Sequence, residues 1–274
     1  LSAEVLLAHA TRRRRIDLYA RYDESLEQEP LSRFREWVRR AADHEPIGYL
    51  VEEKEFFSLP FRVTPDVLIP RPETEVLVEC AIDHCTELKL KEPRVLDVGT
   101  GSGCIAVAVL TQIPGARVVA TDISPAALDV ARENAERHDV SDRLTLVEAD
   151  CLELPDEVIP DGGFDLLLSN PPYVASSSVA ELSASVRDYE PSIALSDGAD
   201  GLSFYRRIGA GAARLLHVDG VVIVEAQDGR AAAASKIVEE EGTLRHRRTR
   251  KDRVVGQERV LEFTVRPGYR VPGG

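Results

Sequence analysis

The sequence has no methionine, a single tryptophan and only four cysteines among its 274 residues. None of the cysteines forms a Cys-x-x-Cys pair and no nearby histidines complete a ligand set, so we expect reduced, structural thiols and no metal site. No apolar run approaches the ~20 residues that cross a bilayer. The arginines at 12–15 follow the first apolar stretch, whereas those of a signal peptide precede it. These absences predict a soluble, cytoplasmic protein without membrane contact.

Basic residues are in the minority, because 34 Lys and Arg face 47 Asp and Glu and the net charge is −13. Nucleic-acid phosphates favour basic surfaces, so this charge argues against broad nucleic-acid binding and we expect no direct contact with nucleic acid. An acidic surface suits a basic protein partner, or it serves solubility alone. The hydrophobic share of 43% is ordinary for a globular protein and supplies a sizeable core.

The chain divides into three parts by the period of its apolar residues. Residues 1–45 have a helical pattern, which predicts a small helical domain. Residues 46–50 break that pattern, and the alternating stretch at 51–64 predicts a β-hairpin. We therefore expect a helical domain at 1–45, a β-hairpin linker at 46–71 and a catalytic domain at 72–274, in a monomer.

From residue 72 onward, short apolar runs alternate with helical stretches. This alternation is typical of an α/β fold with a mostly parallel sheet, here closed by an antiparallel last strand. The predicted helices cover residues 72–87, 104–112, 126–138, 202–216 and 229–241. The predicted strands cover residues 94–98, 117–122, 144–148, 164–169, 221–224, 244–249 and 259–265.

A glycine-rich turn, Gly99-Thr-Gly-Ser-Gly103, joins the first of these strands to the next helix. Such a turn lets a ligand approach the backbone closely, and the start of the helix adds hydrogen-bond donors. The stretch matches neither the dinucleotide pattern nor the phosphate loop of nucleotide hydrolases. Asp97, just before it, places a negative charge where a phosphate would need a positive one. An ammonium or sulfonium ligand fits better.

Two further carboxylates and one arginine are candidate binding groups. Asp122 ends the second strand roughly 20 residues after the turn, which is the spacing of an acidic residue that binds ribose hydroxyls. Asp150 follows the third strand, where its carboxylate can accept a hydrogen bond from an adenine amine. Arg71 lies between two prolines and is either structural or fixed beside the active site.

The fourth strand ends in Asn170-Pro-Pro-Tyr173, at the sheet edge where open α/β folds bind ligands. The side-chain oxygen of Asn170 and the carbonyl of Pro171 can each accept a hydrogen bond from an NH2 group. Two such acceptors orient a planar nitrogen and stabilise its positive charge as it attacks. Tyr173 can pack flat against a planar substrate group. Taken alone, the motif also fits an Asx-Pro turn.

Two other stretches are candidates for contact with a partner. The long polar segment after Tyr173 is serine-rich, and we interpret it as a substrate-contacting loop or lid. Residues 247–253 are the most basic stretch of the chain. They could contact RNA, but a solvated edge hairpin is the commoner explanation of such a stretch.

The order of these motifs resembles the class I S-adenosylmethionine-dependent methyltransferases, which have a Rossmann-like fold with a seven-stranded sheet. The Asn170-Pro-Pro-Tyr173 motif is similar to that of the N-methylating branch. Other stretches closely resemble the peptide chain release factor glutamine methyltransferases (the HemK/PrmC family), and this resemblance covers nearly the whole chain. They are Val5-Leu-Leu-Ala-His9, Pro46-Ile-Gly-Tyr-Leu50, Glu55-Phe-Phe-Ser-Leu-Pro60, Leu68-Ile-Pro-Arg-Pro-Glu-Thr-Glu75 and Asp200-Gly-Leu-Ser-Phe-Tyr205.

The resemblance implies that S-adenosylmethionine is the cofactor and S-adenosylhomocysteine the product. The substrate would be the glutamine of the Gly-Gly-Gln loop in release factors, which the helical domain would help to grip. The cofactor-binding residues would be Asp97, Gly99, Thr100, Gly101, Ser102, Gly103, Asp122, Ile123, Asp150, Cys151 and Asn170. The substrate-binding residues would be Asn170, Pro171, Pro172, Tyr173 and Arg71, with Asn170, Pro171 and Tyr173 closest to the reaction.

The same resemblance implies a direct, in-line displacement in which the glutamine side-chain nitrogen attacks the sulfonium methyl group. No strong general base is needed, because the proton can leave to water once the nitrogen is cationic. Many relatives have an aromatic residue at the position of Cys151, so adenine stacking is expected to be weaker here.

Four other functions compete with this interpretation. A DNA adenine-N6 methyltransferase shares the motifs but needs a basic target-recognition region for a flipped base, which the net charge disfavours. A methyltransferase for a glutamine of a ribosomal protein is chemically closer. A degenerate fold that only binds a partner is disfavoured because every motif residue is intact. A nicotinamide dehydrogenase lacks its dinucleotide spacing.

Overall fold

The computed structural model describes residues 2–253 and 256–269, and it begins with three helices. These are α1 (Ser2–Thr11), α2 (Arg15–Ala20) and α3 (Gln28–Ala42). Helix α1 packs against α3 and buries Leu6, Ala8 and Ala10. Helix α2 buries none of its residues. The helical character predicted for the first part of the chain is confirmed.

The expectation that residues 46–50 break the helical pattern is wrong, because a short helix, α4 (Ile47–Val51), forms there. The carbonyl of Pro46 accepts hydrogen bonds from the backbone N–H groups of Tyr49 and Leu50. The proline therefore starts a new helix, a position that suits its fixed φ. The predicted hairpin follows as β1 (Glu53–Phe56) and β2 (Leu59–Arg62), which are antiparallel.

Seven strands form one sheet in the order β5-β4-β3-β6-β7-β9-β8. The first five strands of this order are mutually parallel, and β9 runs antiparallel to both of its neighbours. This confirms the predicted mostly parallel sheet with an antiparallel last strand. The strands are β3 (Arg94–Val98), β4 (Arg117–Asp122), β5 (Leu144–Glu148), β6 (Phe164–Ser169), β7 (Leu216–Glu225), β8 (Leu244–Lys251) and β9 (Glu258–Val265).

Helices cover both faces of the sheet and close a core on each side. Successive strand residues point to opposite faces, so Val95 joins one hydrophobic cluster and its neighbour Leu96 the other. Among the described helices, none combines the length and apolar character that a transmembrane span requires. The helices after the hairpin are α5 (Glu75–Leu88), α6 (Cys104–Gln112), α7 (Pro125–Arg137), α8 (Ala184–Arg187), α9 (Ser192–Leu195), α10 (Ser203–Leu215) and α11 (Ala231–Glu240).

Two predicted loops differ from the structure. The polar segment after Tyr173 contains α8, α9 and a 3-10 turn, so it is a folded strap and not a plain loop. Strand β7 begins at Leu216, five residues earlier than predicted, and the expected turn at Asp219-Gly220 lies inside it. A Cβ atom on Gly220 would lie 2.9 Å from the carbonyl oxygen of Phe164. The close approach of the two strands at a bulge is therefore possible only with glycine.

Candidate active site

A cleft opens at the carboxyl ends of four adjacent strands, β5, β4, β3 and β6, and it encloses about 960 Å³ with its open mouth included. The glycine-rich turn forms its floor, and residues 66–74 form part of its wall. Three predicted site residues lie outside the lining, namely Asp97, Gly103 and Tyr173. The others all line it: Arg71, Gly99, Thr100, Gly101, Ser102, Asp122, Ile123, Asp150, Cys151, Asn170, Pro171 and Pro172.

The three glycines of the turn have different roles. All of them have positive φ, between +55° and +76°, which disfavours any residue with a side chain. A Cβ atom on Gly99 or Gly101 would meet nothing within 4 Å, so their bare backbone faces open space in the cleft. A Cβ atom on Gly103 would lie 3.1 Å from Cβ of Ala131. The absence of a side chain at Gly103 therefore allows α6 to pack closely against α7, away from the cleft.

Asp97 lies fully buried beneath the turn and is only partly satisfied. Its Oδ2 accepts a hydrogen bond from the hydroxyl of Thr100 at 2.7 Å. Its Oδ1 has no hydrogen-bond partner among residues 2–253 and 256–269. Burial raises the pKa of this carboxyl to about 7. This unpaired oxygen lies beneath the cleft floor, and its role toward a cationic ligand stays a prediction.

Asp122 is held rigidly at the end of β4. Its Oδ2 accepts from the backbone N–H of Gly101 at 2.9 Å, and its Oδ1 accepts from that of Ser124 at 3.0 Å. Burial raises the pKa of this carboxyl, and the two N–H groups act against that rise. The fixed carboxylate still has free lone pairs toward the cleft, so it can accept hydrogen bonds from a ligand's hydroxyl groups.

One wall of the cleft contains an aromatic residue that the sequence analysis missed. Phe204 of α10 lines the cleft together with Asp150 and Cys151. Arg207, one turn further along α10, donates to Oδ1 of Asp150 at 2.6 Å, and its guanidinium lies 5.8 Å from the Phe204 ring centroid. The ring thus supplies an aromatic surface near Cys151. In the sequence, Phe204 lies in the Asp200–Tyr205 stretch that resembles the family, and that resemblance gave it no role in the site.

The cysteines all have buried, unbridged thiols. Cys80 and Cys85 belong to the core on the α5 face of the sheet, whereas Cys104 and Cys151 also border the cleft. Burial raises the pKa of the Cys151 thiol to about 11, so this thiol is uncharged at neutral pH. In the part of the chain that the structure describes, no group of His, Cys, Asp or Glu side chains is arranged to hold a metal ion.

Asn170 belongs to a buried chain of hydrogen bonds. Its Nδ2 donates to the hydroxyl of Thr74 at 3.2 Å, and that hydroxyl donates to Oε2 of Glu225 at 2.6 Å. The Tyr173 hydroxyl donates to Oε1 of the same carboxylate at 3.2 Å. Burial raises the pKa of Glu225 to about 7. Neither Thr74 nor Glu225 was predicted as a site residue, since 151 positions separate them in the chain.

Tyr173 occupies a different place from the one predicted. Its half-buried ring packs against the core on the α10 face of the sheet, and its hydroxyl is bound to Glu225. Burial, together with the Glu225 charge, raises the pKa of this phenol. The predicted flat contact with a planar substrate group has no support in this geometry.

Arg71 is both structural and beside the cleft, so the two alternatives left open by the sequence are compatible. Its guanidinium forms an ion pair with Oε1 of Glu190, while Oε2 of Glu190 accepts from the backbone N–H of Ile69 at 3.2 Å. Glu190 is buried and belongs to the strap after Tyr173. The pair therefore fastens the strap to the cleft wall. Ile193 of the strap remains exposed at the cleft mouth.

The basic stretch at 247–253 is largely neutralised by acidic neighbours. Arg248 and Arg250 both reach Oε1 of the fully buried Glu262, at 2.6 Å and 3.4 Å. Arg247 pairs with Glu87 of α5 at 2.8 Å. These arginines tie the edge strand β8 to β9 and α5, so the stretch lies in an antiparallel hairpin at the edge of the sheet.

Two family models match this chain. Residues 89–262 match a methyltransferase domain, and residues 1–51 match the PrmC N-terminal domain. A release factor glutamine methyltransferase from Rhodopirellula baltica is 42% identical over 266 residues, which cover 96% of this chain and 88% of the relative. Another, from Chlorobaculum tepidum, is 42% identical over 241 residues, which cover 87% and 82%.

Solved structures share the fold at lower identity. A methyltransferase from Pyrococcus furiosus has a TM-score of 0.53 at 19% identity, covering 82% of this chain and 96% of that one. The hMettl16 catalytic domain, solved with an RNA hairpin, has a TM-score of 0.59 at 21% identity, covering 80% and 78%. These likenesses establish the methyltransferase fold.

Proposed function

The chain belongs to the family of release factor glutamine methyltransferases, and from that premise we propose that it methylates the side-chain amide nitrogen, N5, of the glutamine in the Gly-Gly-Gln loop of peptide chain release factors. The observation that carries the proposal is the Asn170 carboxamide at the cleft. Its Nδ2 is bound to Thr74, which leaves its oxygen as an acceptor beside the glycine-rich turn. An acceptor at that point selects an NH2 group.

We propose S-adenosylmethionine as the methyl donor, because the cleft residues fit each of its parts. The open backbone at Gly99 and Gly101 suits the methionine portion and its ammonium group, and Asp97, buried beneath that turn, supports it through the Thr100 hydroxyl. Asp122 suits the ribose hydroxyls, and Ile123, Asp150, Cys151 and Phe204 border the space for adenine. When bound, the cofactor supplies an electrophilic methyl group on a sulfonium.

In the proposed mechanism, the protein aligns the glutamine nitrogen that receives the methyl group, and it accepts hydrogen bonds from the N–H groups of that nitrogen. The side-chain oxygen of Asn170 and the carbonyl of Pro171 bind the two N–H groups of the glutamine amide. This turns the face of the planar nitrogen toward the methyl group and stabilises the positive charge that develops on nitrogen. With S-adenosylmethionine bound, transfer of its methyl group would form the new N–C bond and leave the electron pair of the broken S–C bond on sulfur. One amide proton then leaves to water.

The remaining parts of the proposal concern domains, partners and location. We propose that residues 1–45 form a domain that contacts the release factor, that residues 46–71 link it to the catalytic domain at 72–274, and that the protein acts as a monomer. Ile16, Tyr19 and Tyr22 support the contact role, because all three are exposed large hydrophobic residues near α2. Translation termination takes place in the cytoplasm, so we propose that the protein acts there.

The test is methyl transfer from labelled S-adenosylmethionine to four purified acceptors. They are a release factor, its Gly-Gly-Gln glutamine-to-alanine variant, unmethylated DNA and a set of ribosomal proteins. We expect label on the intact release factor alone. Label on DNA would indicate adenine methylation instead, and label on a ribosomal protein would indicate a glutamine substrate there. Label on the alanine variant would refute the assigned residue.

A further inference from the structure

The Asn170 carboxamide has two ends of nearly equal size and opposite hydrogen-bonding character. Its oxygen only accepts and its nitrogen only donates. The NH2 group of the glutamine that receives the methyl group donates hydrogen bonds. The site therefore works only when the oxygen of Asn170 faces that group. With the amide rotated by half a turn, two donors would face each other. Shape alone does not select between these orientations, so another group must do so.

The chain of hydrogen bonds behind Asn170 has a direction that makes this selection. Above its pKa of about 7, the Glu225 carboxylate is ionised and can only accept, so the Thr74 hydroxyl then donates its single proton to it, at 2.6 Å. The Thr74 oxygen then has only lone pairs left. The group that lies 3.2 Å away on Asn170 must therefore be a donor, namely Nδ2. Thr74 and Glu225 are 2% and 1% exposed, so bulk water does not compete for these bonds.

We infer that Thr74 and Glu225 are positioning residues that hold the Asn170 oxygen toward the acceptor amide, and this inference rests on the proposed function. Glu225 lies at the end of β7 and Thr74 at the start of α5, so the catalytic orientation of Asn170 depends on two elements outside its own motif. Tyr173 belongs to the same chain of hydrogen bonds, because its hydroxyl donates to the second oxygen of Glu225.

Three variants separate positioning from general damage to the cleft. Thr74→Val keeps the shape of the side chain but removes both hydrogen bonds. Glu225→Gln can present an NH2 group to Thr74, which frees the Thr74 proton to bind the Asn170 oxygen and turns the amide the wrong way. We expect roughly a tenfold or greater loss of kcat in each variant. Thr74→Ser keeps the hydroxyl and should recover most of the turnover that Thr74→Val loses.

The cofactor affinity and a matched control complete the kinetic test. By calorimetry, the Kd for S-adenosylmethionine in Thr74→Val should stay within about twofold of that of the unchanged protein. The reason is that Thr74 orients Asn170 toward the glutamine substrate and does not bind the cofactor. Thr121→Val is the control, because Thr121 is also fully buried and its hydroxyl has no partner among the described residues. A kcat for Thr74→Val equal to that of Thr121→Val would overturn the inference, as would a Thr74→Ser variant no better than Thr74→Val.

A second readout needs neither substrate nor turnover. The chain has only two asparagines, Asn134 and Asn170, so selective 15N labelling of asparagine gives two side-chain amide signals. Asn134 is the internal reference, because its Nδ2 donates to the carbonyls of Arg62 and Ser102 and its oxygen accepts from the N–H of Arg62. Thr74→Val and Glu225→Gln should shift the Asn170 signal and speed its hydrogen exchange while Asn134 stays unchanged.

The two readouts also keep the inference apart from the proposed function. An unchanged Asn170 signal in both variants would overturn the positioning role whatever the substrate is. Failure of the unchanged protein to label a release factor would instead refute the proposed function, and the amide signals would still report whether Thr74 orients Asn170.

Discussion

Asn170 and Asp122 border the same cleft but are expected to serve different steps. Replacing Asn170 by alanine removes an acceptor for the substrate amide and leaves the glycine-rich turn intact. We expect methyl transfer to fall by about 100-fold or more, as for the loss of other groups aligned with a transition state. The Kd for S-adenosylmethionine, measured by calorimetry, should change little. An equal loss of cofactor affinity would contradict this division.

Asp122→Ala is the matched variant for the cofactor side of the cleft. It removes the acceptor for ribose hydroxyls and also frees the N–H groups of Gly101 and Ser124, which the carboxylate now holds. Affinity for S-adenosylmethionine should fall by roughly 10- to 100-fold, which corresponds to the loss of charge-assisted hydrogen bonds. Unchanged affinity would refute the role of Asp122 in ribose binding.

Glu225 couples the active site to the stability of the fold. Its pKa is raised from 4.5 to about 7, chiefly by burial and to a lesser degree by Glu73, while Thr74, Arg259 and Tyr173 favour the charged form. Between these two pH values the folded protein binds this proton more tightly than the unfolded chain does. The free energy of unfolding therefore falls as pH rises from 4.5 to 7, and the loss is complete above about 7.

The prediction is that Glu225→Gln is more stable than the unchanged protein at pH 8, by about 2–3 kcal/mol, because a neutral amide avoids the cost of a buried charge. The two proteins should differ less at pH 5. Urea unfolding at both pH values measures the difference. A difference in the free energy of unfolding that is constant with pH, or one of opposite sign, would show that Glu225 is not a buried charge that destabilises the fold.

Several residues of the cleft could be predicted from the sequence because each belongs to a short motif. The glycine-rich turn, Asp122 and Asn170 all lie where a parallel strand ends, and the topology brings strand ends together. The roles of Thr74, Glu225 and Phe204 could not be predicted from the sequence. Their roles arise from contacts between distant segments, and a buried threonine or glutamate has no local pattern that marks it.

At the scale of elements, the edge strand β8 is held by charge as well as by its backbone pairing. Arg248→Ala removes the shortest ion pair of the fully buried Glu262, which would keep only the longer contacts to Arg250 and Arg247. We expect a loss of about 1–3 kcal/mol in the free energy of unfolding, since a buried carboxylate is left poorly paired. Urea denaturation measures this loss.

Arg253→Ala is the control for that prediction. Its side chain is 80% exposed and pairs with Glu79 at 3.1 Å, so its removal should cost less than about 1 kcal/mol. Both variants should retain turnover at temperatures where they are folded. A stable Arg248→Ala variant with poor turnover would instead assign this stretch to substrate contact.

The elements themselves were predicted well where a single physical signal dominates. Parallel strands are short apolar runs, most fully buried in β3 and β6, and β3, β4, β5 and β6 were predicted with the ends that the structure has. The errors lie where tertiary contacts override local preference. Pro46 starts α4 although it looked like a helix breaker. Strand β7 runs through Asp219-Gly220 because β6 pairs with it on both sides of that bulge, at Leu216 and from Val221 onward.

At the scale of the whole molecule, the exposed hydrophobic residues near α2 are expected to contact the protein substrate. Tyr22 is 87% exposed, so Tyr22→Ser should leave stability nearly unchanged. We expect the KM for an intact release factor to rise about tenfold, as for loss of an interface aromatic, and the kcat/KM for a short Gly-Gly-Gln peptide to stay the same.

Val218 gives a matched control for that substitution, because it is a second exposed hydrophobic residue, 66% exposed, outside the helical N-terminal part. Val218→Ser should change neither substrate. Equal effects of the two substitutions, or an effect of Tyr22→Ser on the short peptide, would remove the case for a docking role of the helices.

The central claim is that this cleft methylates one nitrogen of one glutamine side chain. Fragmentation mass spectrometry of a release factor treated with the protein and S-adenosylmethionine tests it most directly. We expect a single methyl group on the side-chain nitrogen of the Gly-Gly-Gln glutamine, and none after treatment with the Asn170→Ala variant. A methyl group on another residue, or the same modification from the variant, would contradict it.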